Sequence, residues 1–468
     1  MSEAVGERMK RAFDYVDAHM DEMIGDLKEV CSHPSVAGNA EGLEGTRWSI
    51  LAKMESLGLE TARHEVPEGN ALLSAKWGEG DAPLLFYNHY DVVEPGKSEN
   101  WRTSDPFKLE EAEGRLYGRG VSDDKSPLYS RLHAVQAILA VDGRLPVPVK
   151  FIAEGDEETS SPSMYRFARA HPETFKELTK ADVCVWENGR NDTAGHTWLR
   201  MGVRGGAAFD LRVTTSKTDV HGSMGTAVPS ASWRMVHALS TLRTPEGRIA
   251  IGGFYDKVLP TTEADLETLR EFPYEEEAIR EKIGFREFVG GATGEKLKQQ
   301  VYLQPTLSIC AMEAGEPHNG VRGIVPHTAY ARISFYLVAD QDPDEIEGLL
   351  RRHFEKHGFG DVEITARDHY GAVNRPVRTP VDIPFRKRAQ DAAKLVYDKP
   401  MIVELTQLGA GPAGIFREAW PDLSIVGFGP GNTEGNHHAP NENIRIQDYR
   451  NAVKYVIALL YSYEGEQK

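Results

Sequence analysis

The chain has 468 residues, 40% hydrophobic and 27% charged, the make-up of an ordinary globular protein long enough for two domains. Its formal net charge of −17 argues against nucleic acid or an anionic membrane surface as the main partner. The three cysteines, Cys31, Cys184 and Cys310, form no Cys-x-x-Cys pair, so neither a disulfide framework nor a thiolate zinc site is expected.

Met1 to Ala4 leads into a charged amphipathic segment, so no signal peptide is expected. No apolar run is long enough to span a bilayer, and the cytoplasm is the expected compartment. Residues 8 to 31 read as one helix, with Phe13, Val16, Met20, Met23, Ile24 and Leu27 on one stripe. Pro83 to Val93 reads as a strand, Ser126 to Val141 as a helix with Pro127 in its first turn, and Val147 to Glu154 as a strand. A helix over Ser160 to Ala170 and a short strand over Asp182 to Trp186 follow. Such alternation predicts an α/β fold with a mostly parallel sheet.

The character changes near residue 202. Gly202 to Thr214 and Ala329 to Val338 read as strands, Val228 to Leu242 and Asp344 to Gly358 as helices, and Asp361 to Arg367 as a further strand. Residues Ile249 to Gln300, rich in Glu, Lys and Gly, read as helices and loops. After Pro380 the helix–strand–helix pattern returns. The expected organisation is a catalytic α/β domain in two parts, 1–201 and 375–468, interrupted by an inserted α+β domain over 202–374.

Five segments place acids and histidines at the ends of predicted strands, where open α/β sheets bind ligands. His89 and Asp91 stand two apart and share a face; a carboxylate there can hold the second nitrogen of a metal-bound imidazole, although a solvated strand end reads the same way. Gly118 to Lys125, with Asp123 and Asp124 before a helix, is either a capped turn or a carboxylate able to bridge two ions. In Glu154-Gly155-Asp156-Glu157-Glu158, adjacent side chains point apart, so one glutamate can bind metal while its neighbour faces substrate; an acidic helix N-terminus is the alternative. Glu187 after an apolar strand and His437-His438 in a Gly-rich loop are weak alone. Together the five supply about the inventory two zinc ions need.

In this order the motifs resemble the two-zinc metallopeptidases that include carnosinases, carboxypeptidase G, aminoacylases and succinyl-diaminopimelate desuccinylase. The resemblance implies a zinc-exopeptidase-like catalytic domain and a ferredoxin-like lid and dimerisation domain. It implies His89, Asp123, Glu158, Glu187 and His438 as ligands of two Zn²⁺ per chain, with Mn²⁺ or Co²⁺ as substitutes, Asp123 bridging and its bond to Asp124 often cis. Asp91 would orient His89, Glu157 would be the general base, and His221 of Asp219-Val220-His221-Gly222-Ser223 would reach the partner subunit's active site in a homodimer. Arg204-Gly205 and Pro305-Thr306-Leu307 also resemble the lid domain.

Three positions depart from the pattern. Gln407 of Gln407-Leu408-Gly409-Ala410-Gly411 stands where many dipeptidases carry arginine, Tyr336 where a second arginine is common, and Ser126 where glycine is usual. Glutamine cannot replace the charged fork of an arginine on a substrate carboxylate. With Gln407, Gly409, Arg322 and Tyr336 as the substrate-side residues, weak dependence on a free C-terminus is expected; Arg204, Arg322 and Arg375 are the candidates to replace the missing clamp. The expected activity is metal-dependent hydrolysis of a peptide bond in a dipeptide or short peptide. The runner-up is deacylation of N-acyl amino acids or related amides, and a metal-free binding protein is the reading from another class.

Overall fold

The computed structural model describes residues 3–81, 83–103, 105–315, 322–367 and 374–464. The chain divides into two compact units, one of Met1–Gly202, Thr379–Leu405 and Ile415–Lys468, the other of Val203–Arg378 and Thr406–Gly414. The strip Thr406–Gly414 joins the second unit because its strand Gln407–Ala410 pairs in parallel with Gly202–Thr214.

The first unit is built on a nine-stranded sheet. Its spatial order is Glu60–His64, Leu72–Trp77, Val149–Glu154, Leu84–His89, Val183–Trp186, Ser424–Gly427, Thr197–Arg200 and Ile402–Glu404, with Arg190–Asn191 on Thr197–Arg200. The centre is parallel: Leu84–His89 pairs with Val149–Glu154 and Val183–Trp186, and Ser424–Gly427 with Val183–Trp186. The edge strands Glu60–His64 and Leu72–Trp77 pair antiparallel. Leu84–His89 is buried along its whole length, which is why it reads as a continuous apolar run. Helix Ser126–Asp142 has Pro127 in its first turn and stops at Gly143, whose φ of 67° is the left-handed conformation glycine takes most easily. It packs against Ile446–Tyr461 and Glu3–Ala18. No helix among the described residues is long and apolar enough to cross a membrane.

The stripe over residues 8 to 31 is two helices, Glu3–Ala18 and Met20–Ser32. His19 breaks it: its Nδ1 lies 2.8 Å from the Tyr15 carbonyl oxygen, which also accepts the His19 backbone N–H, and its ring stacks on Tyr15. The His19 backbone itself leaves helical angles, at φ −114° and ψ 17°, which divides the helical stretch at that point.

The second unit has an antiparallel core in the order Thr306–Ala314, Thr328–Leu337, Gly202–Thr214 and Glu363–Ala366. Thr328–Leu337 alternates, with Ala329, Ala331, Ile333, Phe335 and Leu337 turned inward. These meet Phe209, Leu211 and Val213 and are covered by Met235 and Ala238 of Ala231–Ser240 and Ile346, Leu350 and Phe354 of Pro343–Lys356. Two helices on one face of an antiparallel sheet make this an α+β layer. The segment read as helices and loops contains helices Glu263–Glu271, Glu276–Ile283 and Gly294–Leu303.

One buried cation fastens the centre of the first sheet. Arg131 donates to the Tyr87 carbonyl at 2.7 Å, Asn88 Oδ1 at 2.5 Å, and the Trp186 and Glu187 carbonyls at 3.0 and 2.5 Å. It thereby ties the carboxyl ends of two neighbouring parallel strands. An unsatisfied buried acceptor costs about 1–3 kcal/mol. Arg131→Met, which strands four of them, is expected to lower the unfolding free energy in urea by more than about 3 kcal/mol; a loss under about 1 kcal/mol would show that water replaces the clamp.

Candidate metal centre

His89 ends its strand beside Glu154 in register, Glu157 and Glu158 follow in the turn Glu157–Thr159, and Glu187 follows Val183–Trp186. Because the three strands are parallel, their carboxyl ends open on one edge. Asp123 enters from the turn Val121–Lys125, and its peptide bond to Asp124 is cis, as the resemblance implies. His438 comes from the loop after Ser424–Gly427. That loop can lie against the one following Glu187 because Gly189 has no side chain: a Cβ there would sit 1.8 Å from the backbone nitrogen of Gly429.

These side chains converge. Asp123 Oδ1 is 3.1 Å from His89 Nε2 and its Oδ2 is 3.2 Å from His438 Nε2. His438 Nε2 also lies 3.1 Å from Glu158 Oε2, and His89 Nε2 lies 4.0 Å from Glu187 Oε2. Two sets, His89–Asp123–Glu158 and His89–Glu157–Glu187, each bring their ligand atoms within 4.8 Å of one another. Imidazole nitrogens and carboxylate oxygens at such spacing are the donors that zinc and similar dications take.

The electrostatics point the same way. Burial, and next to it the charge of Glu187, pushes the Glu157 carboxyl well above the usual range. Burial raises Glu158 to about 7 against the pull of His438. Burial also works against the Asp123 carboxylate, but hydrogen bonds to His438 and His89 outweigh it and hold Asp123 well below the usual range. Several carboxylates thus crowd into a buried edge with two imidazoles as their nearest cationic partners. Dications relieve that repulsion, and the donor set fits them.

A second layer of contacts holds these groups in place. His89 Nδ1 is 3.1 Å from the Asp91 carbonyl oxygen and 3.4 Å from Asp91 Oδ1. Asp91 also accepts the backbone N–H groups of Glu157 at 3.2 Å and Glu158 at 3.0 Å, so one carboxylate orients the histidine and pins the two glutamates. The role that sequence reading missed belongs to Glu442, which is fully buried. It accepts from Arg119 Nη1 at 2.6 Å and from the N–H groups of Gly120, Ser122 and Asp123 at 2.9, 2.8 and 2.9 Å. Asn188 Nδ2 donates to the Ser122 carbonyl at 2.6 Å, while its Oδ1 accepts from Gly189 and Gly431. No local signal marks Glu442, because the turn after Gly118-Arg119-Gly120 whose N–H groups it accepts lies more than 300 residues away in sequence.

The remaining expected site residues lie in the second unit. His221 is exposed, its Nδ1 2.9 Å from Ser223 Oγ. Arg322 is exposed on the approach to strand Ile324–Val325. Gln407 and Gly409 lie on the strand joined to Gly202–Thr214, and Tyr336 is 43% exposed, on the sheet face away from the helices. Arg375 is neutralised by Asp342 at 2.6 Å and Asp344 at 2.5 Å, which removes it as a replacement clamp. Arg204 is buried.

Residues 85–462 match the profile of Peptidase family M20/M25/M40. The chain belongs to this family. A cysteinylglycine-S-conjugate dipeptidase of Corynebacterium striatum is 28% identical over 441 residues, 90% of either chain. The human Beta-Ala-His dipeptidase is 27% identical over 367 residues, 74% of this chain and 71% of that one. The crystal structure of an M20 family metallo-carboxypeptidase, Sso-CP2 from Sulfolobus solfataricus, aligns with a TM-score of 0.85 at 31% identity, covering 95% of this chain and 99% of that one. The protein is thus a metallopeptidase, and the centre at the strand ends is where it can hold metal.

The Glu442 contacts generate a test in this peptidase. Partners that orient ligands typically contribute about 10–100-fold in metal affinity. Glu442→Gln keeps the shape of the side chain but removes its charge. Its metal content after dialysis against a weak chelator should fall, with a dissociation constant raised by at least about tenfold. Metal retention equal to the unsubstituted protein would reduce Glu442 to a purely structural partner of Arg119.

Proposed function

We propose that this peptidase hydrolyses the peptide bond of dipeptides or short peptides, using two dications, zinc or in its place manganese or cobalt. The observation that carries the reading is Asp123, with one carboxylate oxygen toward His89 and the other toward His438. In this assignment His89 and Glu187 would hold one ion, Glu158 and His438 the second, and Asp123 would serve both. Bound there, the ions would polarise the scissile carbonyl and lower the pKa of the attacking water. The names of two of the three similar proteins, both dipeptidases, support the substrate size, and the third is a carboxypeptidase.

The chain's own groups do the rest. Glu157 takes the proton of the attacking water and delivers it to the leaving amine. Its neighbour Glu158 is committed to His438, so the adjacent carboxylates divide base and ligand between them. Asp91 keeps the His89 ring and the Glu157 backbone fixed during this transfer. His221 of the partner subunit donates to the oxygen on which charge develops, in a homodimer assembled through residues 202–374. The uncharged Gln407 and Tyr336 leave the substrate C-terminus loosely held, and the cytoplasm is the proposed compartment.

The test of the base is Glu157→Gln, assayed on a dipeptide panel with N-acyl amino acids run in parallel. Metal content should stay at two ions per chain while kcat falls by at least about a hundredfold. Loss of metal from this variant, with retention in Glu158→Gln, would reverse the two roles. Faster turnover of N-acyl amino acids than of any dipeptide would move the enzyme to the amidohydrolases.

The homodimer is tested by sedimentation together with His221→Ala. Two chains per particle are expected, with kcat lowered by about a hundredfold or more in the variant, the scale of a lost oxyanion donor. A fully active monomer would leave His221 no neighbouring site to enter and would sink the assignment.

A further inference from the structure

The second unit contains an open cavity of about 870 Å³ whose wall includes none of the metal-centre residues. Its walls carry four cationic side chains, Arg204, Arg243, Arg248 and Lys296, against one acid, Glu246. The whole chain has a net charge of −17, so a concave surface of the opposite sign is a local arrangement and not a reflection of composition.

Many other arginines of this unit are neutralised. Arg375 binds Asp342 and Asp344, Arg234 binds Asp361, and Arg332 and Arg367 share Asp210. Among the described residues none of the four cavity cations forms an ion pair. Arg243 Nε instead donates to the Gly247 carbonyl at 2.9 Å, and the Arg248 guanidinium lies over the Tyr255 ring at 4.0 Å. Stacking of that kind holds the planar fork in place with its edge donors still available.

Arg204 is the decisive member. It is 3% exposed, and its Nη2 donates to the carbonyl oxygens of Val301 and Gln304. Its Nε has no hydrogen-bond partner among the described residues. Burial lowers its pKa to about 10, and the group still carries its charge at neutral pH. Neutral carbonyls solvate a guanidinium without cancelling its charge, and a buried charge without a counter-ion is costly. Arg131 shows that such a group can be purely structural; Arg204 also stands on the wall of an open cavity that an anion can enter.

We propose that this cavity binds a small anion bearing more than one negative charge, with carboxylate or phosphate oxygens as the recognised groups. Arg204 is its buried counter-charge, and Arg243, Arg248 and Lys296 its solvent-side partners. Tyr336, which also lines the cavity and is exposed, offers a flat surface to the uncharged part of the ligand. The proposal stands on the charge inventory of the second unit and does not depend on the assignment of the metal ligands.

Calorimetric titration of the metal-loaded full chain tests it, at constant ionic strength with chloride as the background anion. The probes are glutarate, methyl phosphate and the neutral glutaramide, none a strong chelator of dications. At least one of the two anions should bind saturably and about tenfold or more tighter than glutaramide, since charge-assisted bonds are about twice as strong as neutral ones. Tighter glutarate assigns the site to carboxylates, and tighter methyl phosphate to phosphate esters. Arg243→Gln with Arg248→Gln, both exposed and outside the metal centre, should weaken that binding by about tenfold or more while leaving ligand-free thermal unfolding unchanged. Arg204→Met should abolish it; if that variant does not fold, the double variant alone decides. Failure of both anions to bind better than glutaramide overturns the proposal. So does equal binding by the double variant, which would place the anions at the metals instead.

Discussion

The Asp123 carboxylate, held between the imidazoles of His89 and His438, is the interaction on which the rest of the first unit depends. Each of its oxygens faces a different histidine, which is possible only if the turn that carries it is rigid. Glu442 provides that rigidity by accepting the backbone N–H groups of Gly120, Ser122 and Asp123. Its charge is balanced by Arg119, which reaches back from the same turn. On the other side Asn88 Nδ2 and the His89 N–H both donate to Asp124, so the strand bearing the histidine and the turn bearing the aspartate are bonded directly. The parallel centre of the sheet then has a purpose beyond packing: it delivers His89, Glu157, Glu158 and Glu187 to the same edge.

The parts of this arrangement legible in the sequence are those encoded locally. Strand Leu84–His89 is buried on both faces and so reads as an apolar run, and the acids at its end stand out by contrast. The Glu157–Glu158 pair is visible because two adjacent acids follow an apolar strand. Long-range features were not legible. Glu442 lies more than 300 residues from the backbone it binds, and nothing in its own segment separates it from a solvated acid. Arg131 sits in a helix whose apolar neighbours hide it, although its partners span two strands. The break at His19 leaves the apolar stripe intact because the ladder bends without changing its period. The strand Glu60–His64 shows no alternation since it lies on an edge with little burial, and helix Ala40–Ser56 mixes polar and apolar residues around its circumference.

The second unit shows the limit of chain order as a guide. Thr406–Gly414 stands among catalytic segments in sequence, yet it is held by pairing between Gln407–Ala410 and Gly202–Thr214. The residues expected on the substrate side, Gln407, Gly409, Tyr336 and Arg322, therefore all belong to one compact unit, apart from the acids and histidines of the strand ends. Positions 336 and 407 and the metal-ligand set lie in different compact units, so a change of residue at 336 or 407 leaves that set untouched.

The same electrostatic rule, with opposite sign, governs the two concentrations of charge in this protein. A folded chain pairs many of its buried charges internally, as Arg119 and Glu442 or Arg378 and Asp265 do here. The strand ends of the first unit gather more carboxylates than the two histidines can offset, which is the signature of a site completed by cations. The cavity of the second unit keeps four cations against one acid, with Arg204 buried and lacking any carboxylate. Uncompensated charge of one sign, buried or half-buried and held by neutral backbone groups, is retained at a cost in stability. At the strand ends that charge lies where metal can be held, and in the second unit it lines the open cavity proposed to take an anion.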